Sequence, residues 1–241
     1  MTKAISVKVK MTINGKEITC EPNLTVLDAA RDNGIEIPTL CFNPLFSKHR
    51  SGSCRMCLVE VIAGGKPGLQ PSCTFTVSSG LVISTISETV YKARRTVVEL
   101  LISEHVQKCY DCPMSGDCIL ARFCRDYDVN GVSVCAECPN QKEGCLLLRG
   151  VLCMGPITYA NCNAYCTRRG YRCEGCHSLL LNENVLRFGL EAYRDAGFSL
   201  EEIIEWAEVF SFDGVKVLKK VTDDIKIFSG KEEKRWLKRS I

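Results

Sequence analysis

Ser51-Gly52-Ser53-Cys54-Arg55-Met56-Cys57-Leu58-Val59-Glu60-Val61-Ile62 places two cysteines in a loop of small residues that runs directly into an apolar strand. Cys41 lies upstream and Cys73 downstream, after a Gly/Pro-rich turn, so the four cysteines read C-x12-C-x2-C-x15-C. A 2Fe-2S cluster needs four thiolates on loops whose backbone N–H groups point at the sulfurs, and Gly52 and Ser53 permit that approach. Cys41, Cys54, Cys57 and Cys73 are therefore its candidate ligands. Toward the N-terminus, Ile5, Val7, Val9, Met11 and Ile13 alternate with polar residues, Asn14-Gly15 supplies a two-residue turn, and Ile18 lies in the returning strand. This pattern predicts a β-hairpin. Thr25 followed by Asp28 caps a helix over residues 26–33 that Gly34 stops.

Cysteine usage decides the chemistry of the whole chain. There are 17 in 241 residues, and fifteen of them, together with His105, fall into four groups of four. Thiolates at such spacings are iron–sulfur ligands. A disulfide-bonded secreted protein is the competing class, but the first residues alternate in polarity and form no signal-like apolar run. No stretch approaches eighteen apolar residues, so no membrane span is expected, and a reducing cytoplasm fits. The formal net charge is +3 with every thiol counted neutral. Four clusters, one of them with a histidine in place of a thiolate, would bring it to about −4, so the mildly basic composition is no argument for nucleic acid.

The segment 1–85 resembles the β-grasp 2Fe-2S ferredoxin domain that begins the large iron–sulfur subunit of respiratory complex I and the small diaphorase subunit of NAD-linked hydrogenases; Ser53-Cys54-Arg55-Met56-Cys57-Leu58-Val59-Glu60-Val61 carries the likeness. A helix is predicted over residues 89–103, with Val90, Ala93, Val97 and Leu101 on one face and Arg94 and Arg95 in solvent. After it comes His105-x3-Cys109-x2-Cys112-x5-Cys118. That spacing is similar to the histidine-ligated 4Fe-4S segment that follows the ferredoxin domain in complex I and in iron-only hydrogenases. The resemblance implies ligation by His105, Cys109, Cys112 and Cys118, whereas His49 and His177 read as ordinary core or surface residues.

Residues 135–176 carry eight further cysteines but no C-x2-C-x2-C-x3-C-P run. Cys153-Met154-Gly155-Pro156-Ile157-Thr158, then Cys162, then Cys173-Glu174-Gly175-Cys176 resemble the cluster-binding C-terminal part of nickel–iron hydrogenase small subunits. The resemblance implies one 4Fe-4S cluster on Cys135, Cys138, Cys145 and Cys153, and another on Cys162, Cys166, Cys173 and Cys176. The flavodoxin-like half of those subunits has no counterpart here. A zinc ribbon on Cys135, Cys138, Cys173 and Cys176 is the main alternative, and it leaves four cysteines unexplained. Cys20 and Cys124 match no motif and read as buried small apolar residues.

Two helices, 184–195 and 200–210, split by Gly197, are expected after the cysteines, the second opened by a Ser199/Glu202 capping box. Residues 231–241 mix charges around Trp236 and Leu237, as a solvated tail or a partner-docking segment would. The expected fold is α+β: a β-grasp 2Fe-2S ferredoxin domain (1–85), then small loop-rich helical 4Fe-4S modules, histidine-containing (86–128) and eight-cysteine (129–178), and a helical tail (179–241). No G-x-G-x-x-G follows a strand, and no phosphate loop or nucleophile–base pair is identifiable.

The expected function is electron transfer in a cytoplasmic NAD(P)-linked oxidoreductase. The chain would carry one 2Fe-2S and three 4Fe-4S clusters between a flavoprotein NAD(P)H-binding subunit and a catalytic subunit. A nickel–iron hydrogenase is the favoured catalytic partner, with formate, aldehyde or electron-bifurcating dehydrogenases as alternatives. Two other classes compete. A cluster-bearing regulator would need a basic DNA-reading helix, and a self-sufficient reductase would need a flavin site of its own.

Overall fold

The computed structural model describes residues 8–43, 51–140 and 144–225. Ile5, Val7, His49, Trp236 and Leu237 lie outside them. The chain forms two compact units, Met1–Leu100 and Leu101–Ile241.

The first unit is built on a mixed sheet of β1 (Val9–Ile13), β2 (Lys16–Cys20), β3 (Leu58–Ala63), β4 (Gly68–Pro71) and β5 (Val82–Ser84), in the order β2-β1-β5-β3-β4. Only β1 and β5 run parallel, as in a β-grasp sheet. Asn14 and Gly15 both have positive φ, which the β1–β2 turn requires. The Asn14 side chain also donates to Thr85 Oγ1 and accepts the Thr85 N–H, both at 2.7 Å, tying the hairpin tip to the end of β5. Met11, Ile13 and Ile18 point into the core with Val59, Val61 and Ile83. Helix α1 (Val26–Asp32) packs Val26, Leu27, Ala29 and Ala30 on them; Thr25 caps it by accepting the Asp28 N–H. The N–H groups of Val26 and Leu27 reach the carbonyls of Phe75 and Ser72, so the helix start fixes the loop that carries Cys73.

Helix α2 (Glu88–Glu104) follows, longer by one residue at each end than its sequence pattern indicates. Its buried face is also turned slightly, centring on Val90, Arg94, Val98 and Ile102. Arg94 is not solvated: its guanidinium donates to the Leu58 carbonyl at 2.7 Å. A long stem that can bury its methylenes and end on a backbone acceptor is stable in such a place.

The second unit holds α3 (Ile119–Asp126), α4 (Glu183–Asp195), α5 (Leu200–Glu208) and α6 (Phe212–Ile225), joined by loops with short 3-10 turns. Asn182 caps α4, and the Ser199/Glu202 capping box of α5 is formed. Helix α6 is not among the elements that the sequence pattern predicts. Its Gly214 is a packing notch, since a Cβ there would stand 2.8 Å from Leu179 Cβ. One core joins the cysteine loops to these helices: Leu147, Met154, Ile157, Leu179 and Leu180 meet Leu186, Leu190, Tyr193, Ile203 and Leu218. At Gly189 the helix α4 lies so close to the 153–158 motif that a Cβ would come 2.4 Å from Ile157 Cγ2. Among the described residues no helix is long and apolar enough to cross a membrane.

Candidate metal centres

The loop of the first unit gathers all of its expected donors. Cys57 and Cys73 are buried, Cys54 is half-buried and Cys41 is exposed. Burial pushes the Cys73 thiol up to about 12, reinforced by its hydrogen bond with Cys57 and by the nearby thiols of Cys41 and Cys54. For Cys41 the balance is opposite. Burial raises it, but N–H groups of Cys54 and Ser53 and the Ser51 hydroxyl hold it below the ordinary thiol value by favouring the thiolate. The Cys41 N–H in turn reaches Cys54 Sγ at 3.5 Å. Gly52 and Arg55 adopt left-handed backbone, which curls this loop around its sulfurs.

In the second unit the thiols fall into three neighbouring groups. Cys109, Cys112 and Cys118 form the first; Ser133 donates to the Cys109 sulfur, and Cys118 Sγ caps α3 by accepting the Ala121 N–H at 3.4 Å. Cys135, Cys138, Cys145 and Cys153 form the second, and all four line one small apolar cavity. Burial pushes Cys135 well above the ordinary value, with Cys153, Cys138, Cys109 and Cys145 adding to it. Gly155 keeps the wall thin, since a Cβ there would touch Cys135 Sγ at 3.4 Å and Cys153 Sγ at 3.6 Å. In the third group Cys162 lies near Cys176 and Cys173, and its sulfur accepts N–H groups of Tyr165 and Ala164. Cys166 begins the turn Thr167–Arg169 just beyond.

The groups adjoin one another. Cys135 lies within electrostatic reach of Cys109, and the Cys173 N–H donates to Cys153 Sγ at 3.2 Å. Tyr193, fully buried, stands among Cys153, Cys135, Cys173 and Cys145 and donates to the Cys153 carbonyl at 2.9 Å. Gly116 lets the first two loops touch: its N–H donates to the Ala136 carbonyl, and a Cβ would meet the Cys138 carbonyl at 2.8 Å.

Two placements were not legible from spacing. His105 is exposed and lines a cleft with Gln107, Asn182, Arg187 and Phe188, the last three from the start of α4. Cys124, buried as expected, has its thiol near those of Cys118 and Cys109, and burial pushes it up to about 12. The fold also brings out a repeat: Arg149-Gly150-x2-Cys153-x-Gly155 recurs twenty residues later as Arg169-Gly170-x2-Cys173-x-Gly175. Both copies form a 3-10 turn ended by a left-handed glycine. His177, exposed, donates from Nδ1 to the Ala160 carbonyl.

These donors fit iron–sulfur clusters by their chemistry: they are grouped thiols, and backbone N–H groups point at the sulfurs of Cys41, Cys118 and Cys162. The thiol chemistry predicts alkaline lability of the iron-free protein. Cys173 and Cys124 are raised to about 12 by burial, whereas a thiol in the unfolded chain ionises near its ordinary value of 9.0. A raised folded value means stability that is complete below the unfolded pKa and is lost as pH climbs toward the folded one. The melting temperature of iron-free protein should thus fall between about pH 9 and about pH 12, and a flat profile there would contradict the buried, neutral thiols.

Comparison with known proteins bears on the first half of the chain. Residues 6–88 match the family described as a 2Fe-2S iron-sulfur cluster binding domain, and residues 94–133 the NADH-ubiquinone oxidoreductase-G iron-sulfur binding region. The NADP-reducing hydrogenase subunit HndD of Solidesulfovibrio fructosivorans is 40% identical over 122 residues, 49% of this chain and 20% of that protein. The mitochondrial NADH-ubiquinone oxidoreductase 78 kDa subunit of Candida albicans is 34% identical over 120 residues, 50% of this chain and 16% of that protein. A crystal structure of an NAD+-reducing [NiFe]-hydrogenase in the H2-reduced state shares 36% identity over 50% of this chain and 49% of its own, with a TM-score of 0.45. The chain thus spans a fifth or less of the length of these curated relatives. Over the matched residues the chain is similar to a 2Fe-2S cluster binding domain followed by an NADH-ubiquinone oxidoreductase-G iron–sulfur binding region. The eight-cysteine segment lies beyond both family matches.

Proposed function

We propose that this chain is a multi-cluster electron-transfer subunit of a cytoplasmic NAD(P)-linked oxidoreductase, relaying single electrons between a flavoprotein subunit and a catalytic subunit, with a nickel–iron hydrogenase as the favoured catalytic partner. The observation that carries this reading is the unbroken succession of thiol groups in the second unit, joined by Cys109 beside Cys135 and by Cys153 beside Cys173.

Cys41, Cys54, Cys57 and Cys73 would hold a 2Fe-2S cluster. His105, Cys109, Cys112 and Cys118 would hold a 4Fe-4S cluster, with two more on Cys135, Cys138, Cys145 and Cys153 and on Cys162, Cys166, Cys173 and Cys176. When bound, such clusters supply reversible one-electron transfer. The protein's part is to hold and tune them. N–H groups of Ser53, Cys54, Ala121, Ala164 and Tyr165 point at sulfurs and stabilise negative charge there. Leu147, Ile157 and Leu190 keep water from the inner groups. Anaerobic purification with associated proteins tests the reading: a flavoprotein and a catalytic subunit should accompany the chain, and NAD(P)H oxidation should require the flavoprotein. NAD(P)H oxidation by the isolated chain would contradict it, because hydride chemistry needs a flavin to divide two electrons.

Two side chains contend for the fourth position beside Cys109, Cys112 and Cys118: His105 by spacing, Cys124 by nearness. His105→Ala should cost about four irons per chain and Cys124→Ser none. Iron analysis of both variants decides it, and the reverse pattern would give the position to Cys124.

A further inference from the structure

A buried carboxylate stands where three of the cysteine loops meet. Glu137 lies between Cys135 and Cys138, with its side chain only 2% exposed. One carboxylate oxygen accepts from Arg125 Nη1 at 2.9 Å, and the other accepts the backbone N–H of Ala164 at 3.2 Å. The Glu137 carbonyl accepts from Arg168 Nη2 at 3.0 Å. Arg125 belongs to α3, which starts directly after Cys118, while Ala164 lies between Cys162 and Cys166. Arg125 also reaches Asn163 Oδ1 at 3.4 Å, and Arg168 Nε donates to the Asn163 carbonyl at 2.8 Å.

The segment so held is strained. Asn163 and Ala164 have φ of +54° and +48°, left-handed backbone that is uncommon for alanine. This conformation delivers the N–H groups of Ala164 and Tyr165 to the Cys162 sulfur. An ion pair with a buried carboxylate is a poor source of net stability, because the carboxylate loses its water on folding. Its geometry here serves another end: one side chain fixes the loop that presents Cys162 and places a negative charge beside it.

We propose that Glu137 is a positioning residue for the cluster on Cys162, Cys166, Cys173 and Cys176, holding the Asn163–Ala164 turn in place and biasing that cluster toward its oxidised form. The proposal rests on the ligand assignment given above. A neighbouring negative charge disfavours adding an electron, and the low-dielectric interior screens it little. Arg125 partly balances that charge, so the two side chains should act with opposite signs.

The test is a redox titration of the anaerobically purified full-length protein, followed by electron paramagnetic resonance, with iron counted in parallel. E137Q keeps an oxygen for the Ala164 N–H and removes the charge; Arg125, a third exposed, can turn to water. E137Q should keep its iron and raise the midpoint potential of one 4Fe-4S signal. R125Q should lower the potential of that same signal, a reversal that a purely structural role would not give. E137A, which removes the carboxylate acceptor of the Ala164 N–H and frees the turn, should lose about four irons and the same signal. E137Q and R125Q decide the matter even if E137A does not accumulate. Wild-type protein that has the cluster, with both potentials unmoved or moved in the same direction, overturns the proposal alone. Wild-type protein with no cluster on Cys162–Cys176 overturns the ligand assignment and the proposal with it.

Discussion

Stripping iron with a chelator under reducing conditions should raise amide hydrogen exchange about a hundredfold across residues 109–118, 135–153 and 162–176, a loss of roughly 2.7 kcal/mol of local stability. Strands β1 and β3 should change less than about tenfold. The contrast follows from what holds each part. Met11, Ile13, Val59, Val61 and Ile83 are buried in a hydrogen-bonded sheet that owes its register to strand pairing. The cysteine loops are 3-10 turns linked by isolated bridges such as Ser133↔Tyr159 and Thr158↔Leu179, and the thiols of Cys135, Cys153 and Cys173 cluster in their interior. Helices α4 to α6 have their own apolar contacts through Ile203, Leu218 and Val221 and should respond in between. Mass spectrometry of exchanged peptides reads this directly. Equal deprotection of sheet and loops would mean that metal does not stabilise the loops selectively.

Replacing Cys173 with Ser should abolish electron delivery to the catalytic partner in the assembled complex, by a hundredfold or more on an order-of-magnitude basis. NAD(P)H-dependent reduction of the remaining clusters should persist. Cys173 ties the third group to the second: its N–H donates to Cys153 Sγ, its carbonyl accepts the Met154 N–H at 2.9 Å, and its thiol lies near Cys162. Serine keeps the backbone contacts and removes the sulfur, so the neighbouring Cys135–Cys153 group should stay loaded. Stopped-flow spectroscopy with NAD(P)H, beside an assay of the complete reaction, separates the two halves. If the variant is folded and assembled yet none of its clusters is reduced by NAD(P)H, the Cys162–Cys176 cluster does not lie on the catalytic side of the others.

Features that depend on near neighbours could be read from sequence. Asn14-Gly15 announced its hairpin, Thr25 its helix, and Ser199 with Glu202 their capping box, because each satisfies backbone groups only a few residues away. The cysteine groups were legible differently: spacing singled out Cys41, Cys54, Cys57 and Cys73, whereas the sharing of the eight later cysteines between two clusters was what a resemblance implied. What escaped depends on distant partners. Arg94 looked like a solvent residue because its acceptor, the Leu58 carbonyl, is 36 positions away. Helix α6 was hidden by a glycine that usually weakens a helix but here admits Leu179. Glu137 was one charge among many until Arg125 and Ala164 enclosed it. The twenty-residue repeat of Arg-Gly-x2-Cys-x-Gly was visible in principle, and dissimilar residues at its other positions masked it.

Iron, acid-labile sulfide and zinc measured together on the anaerobically purified full-length protein test the central claim most directly. Four clusters on fifteen cysteines and one histidine require about 14 irons and about 14 sulfides per chain, with negligible zinc. About 6 irons with one or more zinc ions would contradict the account, because residues 135–176 would then be a zinc-binding segment rather than a site for two clusters.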